Sequence, residues 1–279
     1  LQVSTDNGVT YGNARNVTFS STTPRVILVK ATDDTTVDSS PHVRHITHAI
    51  TSTADPAQYP TNSLLPVVNV NIADNDTVLF NELKVNPPGT NDGPYEFIEL
   101  KGRPDALLTN VYVVAVVGDD EKGPGKAAFV AGLNGVRLGA NGLLVIAAAG
   151  HPYNIPPTTP VVFAPQLDEP GGALGNGTMT FLLLSSAVPM VEGEDLDRGN
   201  DGLLEGLAPG TTLLDSVGWS DGGASDLVYS GALLTQSAGT PDAASRLPGH
   251  TTAHSAEAWF NGDLAGSDPA SLAFDPTNV

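Results

Sequence analysis

The chain has 279 residues, no cysteine and a formal net charge of −19, with 40% hydrophobic and 15% charged residues. This length and apolar fraction suit one large folded core or two ordinary ones, and they exclude a wholly disordered chain. The acidic excess repels phosphate backbones and so argues against nucleic-acid binding, while the lack of cysteine excludes disulfides, thiolate metal sites and a cysteine nucleophile.

Short β-strands are predicted at the start of the chain. Runs of branched and aromatic residues alternate there with Asp, Asn and Gly turns, which is the pattern of strands joined by tight connections. The predicted strands are residues 1–5, 16–20, 25–31, 43–52 and 67–72.

Acidic residues follow two of these strands, with Asp33 and Asp34 after the third and Asp74 and Asp76 after the fifth. With the Thr51-Ser52-x-x-Asp55 turn, the segment resembles the later part of a Calx-beta repeat. That resemblance implies an immunoglobulin-like sandwich without its opening strands, and calcium at a rim where both acidic ends supply the oxygens that a hard cation needs. The alternative is that these residues simply make turns at strand ends.

The centre of the chain predicts two further strands, residues 78–84 and 95–100, because each run alternates and is bounded by Pro and Gly. Asn81-Glu82, then Glu96 to Leu100, then Leu138-Gly139-Ala140-Asn141-Gly142 before an apolar strand, resemble a bacterial-type lamin-tail domain over about 78–266. The resemblance implies a second immunoglobulin-like sandwich. Such modules occur beside secreted nucleases and phosphatases and in surface proteins, and are not themselves catalytic.

Glu82, Glu96 and Glu99 form an acidic group in these two strands. Paired carboxylates are the machinery of acid–base hydrolysis. A pairing of side chains across strands, or solvated edge positions, is the interpretation that we favour, because Glu96 and Glu99 point to opposite faces of one strand.

The sharpest chemical motif is the loop that contains Asp195, Asp197 and Asp201. Counted from Asp197, positions one and five carry Asp and position six is Gly202, which approximates a calcium loop. Position three is Gly199 and position twelve is Ala208 where a Glu is expected, so Glu194 or Glu205 would have to compensate. A solvated acidic turn is the alternative.

Asn16, Asn75 and Asn176 each begin an Asn-x-Thr sequon, and Asn176 lies in a Gly-rich loop where we expect it to be the most accessible. No apolar run reaches membrane-spanning length, so no membrane insertion is expected. Together with the Asp-rich loops, the sequons predict a secreted, extracellular or cell-surface glycoprotein.

The C-terminal segment, residues 271–275, alternates like a strand and places Leu272 and Phe274 on one face. A first domain without its opening strands has an open edge. Addition of this tail to that edge in the next chain predicts a head-to-tail filament, and a neighbouring surface protein is the other expected partner.

These patterns predict an all-β protein with two immunoglobulin-like sandwich domains, an incomplete one at residues 1–76 and a lamin-tail-like one at 77–279. We expect a structural or adhesive module stabilised by calcium. The alternatives are a non-catalytic module of a larger secreted hydrolase and a carbohydrate-binding module that uses Trp219 or Trp259. An enzyme is not expected, because the motifs of serine hydrolases, zinc proteases and P-loop proteins are absent from the sequence.

Overall fold

The computed structural model describes residues 1–32, 34, 36–37, 42–72, 76–89, 91–119, 123–237 and 239–277. The predicted all-β class is confirmed, since the described helices are single 3₁₀ turns at Gly93–Tyr95, Pro165–Asp168 and Ala256–Ala258. Within the described ranges, no helix has the length and apolar character needed to cross a membrane.

The strands are numbered in chain order. They are β1 (Gln2–Ser4), β2 (Leu28–Lys30), β3 (Thr36–Val37), β4 (His42–Ile46), β5 (Val68–Ile72), β6 (Val78–Lys84), β7 (Phe97–Gly102), β8 (Leu107–Leu108), β9 (Val111–Val117), β10 (Ala127–Gly132), β11 (Leu143–Ala147), β12 (Val161–Phe163), β13 (Met179–Ser185), β14 (Thr212–Trp219), β15 (Ala243–Arg246) and β16 (Trp259–Gly262).

The chain divides into two compact units, a first unit of residues 1–34 with 40–74 and a second unit of residues 35–39 with 75–279. In the first unit β1 pairs antiparallel with β2, and β4 pairs antiparallel with β5. The strand predicted at residues 16–20 is wrong, because those residues lie in an irregular segment where Phe19 is exposed. Alternation is not enough for a strand without a neighbour to pair with.

The second unit contains a four-stranded sheet in the order β10-β9-β13-β14 and a six-stranded sheet in the order β12-β11-β7-β6-β15-β16. One hydrophobic core includes side chains from both sheets, among them Phe80 and Leu100 from the larger sheet and Phe129 and Phe181 from the smaller. Two sheets that share one core form a sandwich, in which inward residues alternate with outward ones along each strand.

The outer face of the four-stranded sheet is also covered. Every residue of β13 is buried, and Leu182 and Leu184 belong to a second hydrophobic cluster with Leu196 and Tyr229. Leu196 and Tyr229 lie in the long connections before and after β14, so these loops cover apolar surface that would otherwise face water. Their conformation therefore matters for stability.

A buried ion pair links the two sheets. The Asp215 carboxylate, on β14, bonds the guanidinium of Arg246, on β15, and both side chains are completely buried. Asp215 also accepts a 3.0 Å hydrogen bond from the Phe80 amide, while Arg246 donates to the Phe80 carbonyl at 2.7 Å and lies 4.7 Å from the centre of the Trp259 ring. Each charge is thus surrounded by partners, which is the condition for burying it.

We expect Asp215→Asn to lower the free energy of unfolding by about 3–5 kcal/mol, because it leaves the buried Arg246 charge without its counter-ion. Urea unfolding monitored by tryptophan fluorescence measures the loss. Arg137→Met is the control, since Arg137 is exposed and its guanidinium donates to a backbone carbonyl, that of Asp105, at 2.8 Å. A loss below about 1 kcal/mol for Asp215→Asn would show that the pair does not tie the sheets.

The C-terminal tail lies on its own second unit. Lys84 donates to the carbonyl oxygens of Pro269, at 2.5 Å, and Ser271, at 2.9 Å, and the rings of Phe260 and Phe274 pack edge to face at 4.8 Å. Leu264 pairs with Phe274 in an antiparallel bridge. Donation of this tail to a neighbouring chain therefore requires these contacts to break first.

Candidate metal centre

Three carboxylates of the predicted calcium loop come together. Asp197, Asp201 and Glu205 each offer an oxygen within 4.8 Å of the others, and we call them the loop cluster. Glycines make the loop compact, since Gly202 has φ +87° and a Cβ on Gly206 would meet the Asp195 carbonyl at 2.5 Å. Three anionic oxygens at this spacing are a partial ligand set for a hard cation.

Asp197 organises the loop from its buried end. Its carboxylate accepts hydrogen bonds from the amides of Asp201 and Gly202, at 3.1 and 2.9 Å, and from the Tyr229 hydroxyl at 2.9 Å. Burial opposes ionisation of Asp197, but these donors outweigh it and hold its pKa below the usual value. The same Tyr229 belongs to the apolar cover of the sheet, so the acidic loop and the cover are one assembly.

Asp195 is not part of the loop cluster. Its carboxylate turns back to accept the Asp197 amide at 3.1 Å, as Asp side chains do in turns. Glu205 takes its place, and accepts the Gly199 amide at 2.6 Å. Of the predicted ligands Asp197 and Asp201 are therefore brought together, and Glu205 is the compensating residue that the sequence offered.

The predicted calcium rim of the first domain has a different outcome. Asp33 and Asp74 lie outside the described residues. Among the residues that are described, neither Asp34 nor Asp76 belongs to a group of three metal-compatible side chains. Asp76 is 2% exposed and forms an ion pair with Arg103 at 2.9 Å, which gives it a structural partner instead.

A second acidic group lies where strands of the four-stranded sheet end. Asp119 follows β9, Asp221 and Asp226 follow β14, and their carboxylates lie within 4.8 Å of one another. We call them the strand-end cluster. The sequence offers no local motif for this cluster, because only the pairing of β9 with β13 and of β13 with β14 brings Asp119 to Asp221 and Asp226.

Hydroxyl groups surround the strand-end cluster. The Thr178 hydroxyl, just before β13, bonds Asp226 and lies 3.3 Å from Asp221, and the Ser220 hydroxyl donates to Asp226 at 3.1 Å. Burial raises the pKa of Asp226, but the bonds from Thr178 and Ser220 help to bring it below the usual value. The cluster thus presents only oxygen ligands, the kind that calcium and magnesium prefer.

Glu82 and Glu99 are direct neighbours across β6 and β7, as the favoured interpretation of the sequence has it. Burial, and then the charge of Glu99, raise the pKa of Glu82 to about 7. Asn81 donates to Glu99 at 2.5 Å. Glu96 is separate from this pair: it is fully buried and its carboxylate accepts the Ala173 amide at 2.8 Å, so it anchors a loop.

The raised pKa of Glu82, next to Glu99, predicts how the free energy of unfolding depends on pH. A carboxyl whose pKa rises from 4.5 in the unfolded chain to about 7 contributes stability that is complete below pH 4.5 and lost as the pH rises through 7. We expect the free energy of unfolding to fall between pH 5 and 8. Glu82→Gln should raise it by about 1–2 kcal/mol at pH 8, because the uncharged amide removes the repulsion of Glu99 and the cost of burying a charge.

Chemical denaturation at pH 5, 6, 7 and 8 measures this effect. Lys84 and Ser245 also face Glu82, and both stay unchanged in the variant. Glu257→Gln, at an exposed position, is the control and should leave the pH dependence as it is. Parallel curves for the Glu82→Gln variant and the unaltered protein would contradict the prediction.

Trp219 and Trp259, on which the carbohydrate-binding alternative depends, both lie in the core. Trp219 is 1% exposed and packs on Phe181, and Trp259 is 7% exposed and lies under Arg246. A sugar platform needs an open ring face.

The Ser216 hydroxyl lies 2.9 Å from the His254 ring nitrogen Nδ1 and also contacts the Ser230 hydroxyl. Ser216 is fully buried, so this contact is a buried hydrogen-bond network and not an accessible nucleophile.

The sequons differ in their surroundings. Asn16 is exposed. Asn176 is exposed too, but its side-chain amide donates to Asp92 at 3.0 Å, and Thr178 of the same sequon is buried. Asn75 lies outside the described residues.

Comparison of the chain with protein-family models, curated proteins and solved structures finds no match. The Calx-beta and lamin-tail resemblances therefore remain hypotheses.

Proposed function

We propose that this protein is a secreted structural or adhesive module whose second unit is stabilised by calcium. The observation that carries the proposal is a pair of carboxylate clusters, each of three residues: the loop cluster and the strand-end cluster. Both lie in connections of the same four-stranded sheet. A structural cation fits loops that must stay closed over apolar surface, as these loops do around Leu196 and Tyr229.

Calcium is the favoured cation because both clusters consist of carboxylates, without histidine or cysteine. Hard oxygen ligands in loops with adjustable geometry suit calcium, which accepts six to eight of them, better than the strict octahedron of magnesium. Loop carbonyls, hydroxyls and water would complete each set. The net charge of −19 adds a field that draws cations to the protein.

Calcium should raise the melting temperature, because it binds the folded clusters and relieves repulsion between their carboxylates. At free calcium about 100 times the dissociation constant, one site contributes about 2.7 kcal/mol. Calorimetry in chelator and in millimolar calcium measures the shift, and elemental analysis counts the bound ions. Identical curves together with no bound calcium would reject the proposal.

Paired variants separate the clusters. Asp201→Asn with Glu205→Gln removes two charges from the loop cluster while keeping the acceptor oxygens that bond Leu203 and Gly199. Asp221→Asn tests the strand-end cluster. Each variant should lose its own part of the calcium shift. Glu169→Gln with Glu257→Gln removes two exposed charges elsewhere and should keep the whole shift.

If the protein is secreted by an organism that glycosylates asparagine, we expect a glycan on Asn16. This residue is exposed, whereas the amide of Asn176 is already bonded to Asp92. We expect a glycan at Asn16 at higher occupancy than at Asn176. Mass spectrometry of native material decides it, and unmodified asparagine at Asn16, Asn75 and Asn176 would remove this support for secretion.

Assembly by strand addition is part of the proposal. The first unit supplies the acceptor, because each of its sheets has only two strands among the described residues. Such pairs are marginal alone and gain most from added strands. The C-terminal tail can add to a neighbouring chain as a strand only after the bonds from Lys84 to Pro269 and Ser271 have broken.

A further inference from the structure

The first unit has almost no core of its own. Ser4 is the only fully buried residue among those described there, whereas the second unit buries a large apolar cluster. Large apolar side chains of the first unit instead face solvent: Val9, Phe19, Val26, Ile27, Leu28, Val29, Val43, Tyr59, Leu64, Leu65, Val67 and Val68. These side chains are apolar surface that contact with another polypeptide would remove from water.

The free edge of β5 is the least protected of these surfaces. Val68–Ile72 reads Val-Asn-Val-Asn-Ile and carries no charge, no proline and no glycine. Its partner β4 contains Arg44, and β2 ends in Lys30, and such charges discourage further pairing at an edge. In the described part of the chain β5 pairs with β4 alone, so its other edge is open.

The sequence of β5 is complementary to itself. If two copies run antiparallel about a twofold axis at Val70, Val70 meets its symmetry mate and Val68 meets Ile72, all on one face. On the opposite face Asn69 meets Asn71. The Asn69 side-chain oxygen already bonds His45 at 2.8 Å, so its NH2 group is the donor that can bond the Asn71 side-chain oxygen. A shift of one residue would place Val against Asn throughout, so this register is specified by the pattern.

Charge favours contact through the first unit. Residues 1–34 and 40–74 contain four basic and five acidic residues, whereas the rest of the chain contains eight basic and twenty-six acidic ones. Two first units can therefore meet with little repulsion, while two second units repel each other strongly. A second copy of this chain is thus the occupant that fits both the strand pattern and the charge.

We propose that two copies of this protein associate through β5, antiparallel about a twofold axis at Val70, and join two β4–β5 pairs into one four-stranded sheet. The interface is isologous, so it closes as a dimer. It buries Val68, Val70 and Ile72 on one side of the joined sheet. The inference goes beyond the calcium proposal and does not depend on it.

Cross-linking tests the register directly, because the chain has no cysteine of its own. Opposite Cα atoms in antiparallel strands lie about 4.5–5.5 Å apart, within the range that a disulfide spans. Val70→Cys in the full chain should therefore form a covalent dimer on mild oxidation. Val68→Cys mixed with Ile72→Cys should cross-link to each other, and each alone should not.

A matched pair of lysine variants tests the interface without a cross-link. Val68 is 48% exposed and Val43, on the neighbouring strand β4, is 47% exposed. Val68→Lys places a charge against Ile72 twice per dimer and should raise the dimer dissociation constant about tenfold or more. Val43→Lys should leave it unchanged, since β4 lies outside the interface. Sedimentation velocity over a concentration series gives both constants.

Two results would overturn the proposal. One is a protein that stays monomeric at high concentration. Protection of the amides of residues 68–72 from hydrogen exchange would then show that another part of the same chain covers β5, and unprotected amides would show that its edge stays open. The other is a dimer that Val68→Lys does not weaken, or that Val43→Cys traps as readily as Val70→Cys, because association then uses a different surface. Either result leaves the calcium measurements unaffected.

Discussion

The buried ion pair between Asp215 and Arg246 is the constraint on which the second unit depends. Two charges inside a core are stable only when all their hydrogen-bonding atoms have partners, so neighbouring groups are fixed around them. Asp215 accepts the amides of Ser216 and His254, and Arg246 bonds the Phe80 and Thr252 carbonyls. The pair thus sets the relation of β14 to β6 and β15, and the His254 amide that Asp215 accepts belongs to a residue with a φ of +54°, in the left-handed region.

The position of the acidic clusters follows from this arrangement of sheets. The larger sheet covers one face of β13. Leu182 and Leu184 lie on the other face, and the loops around β14 shield them from water. A loop that covers apolar surface needs a fixed conformation, which carboxylate–amide bonds from Asp197 supply. The structural bonds of the loop and its capacity for a cation therefore arise from the same side chains.

The two units differ in how much apolar surface they bury and in how much charge they carry. The second unit has a closed core and carries nearly all the net charge, whereas the first unit is almost neutral and leaves its strands open. The low net charge and the open strands of the first unit are the physical basis of the association that we propose there, because two acidic second units repel each other.

The sequence by itself determined the class and many of the strands. Alternation in residues 78–84 predicted β6 at its observed bounds, because that signal is local. The acidic loop indicated Asp197 and Asp201, with Glu205 as one of two further candidates, but it also indicated Asp195, which lies outside the cluster. It failed for residues 16–20, where alternation had no neighbour to pair with. Tertiary structure alone decided that Asp119 meets Asp221 and Asp226, that Trp219 and Trp259 are buried, and that Asp215 meets Arg246. Each of these depends on strand order, which is set by packing between distant segments and not by the local pattern.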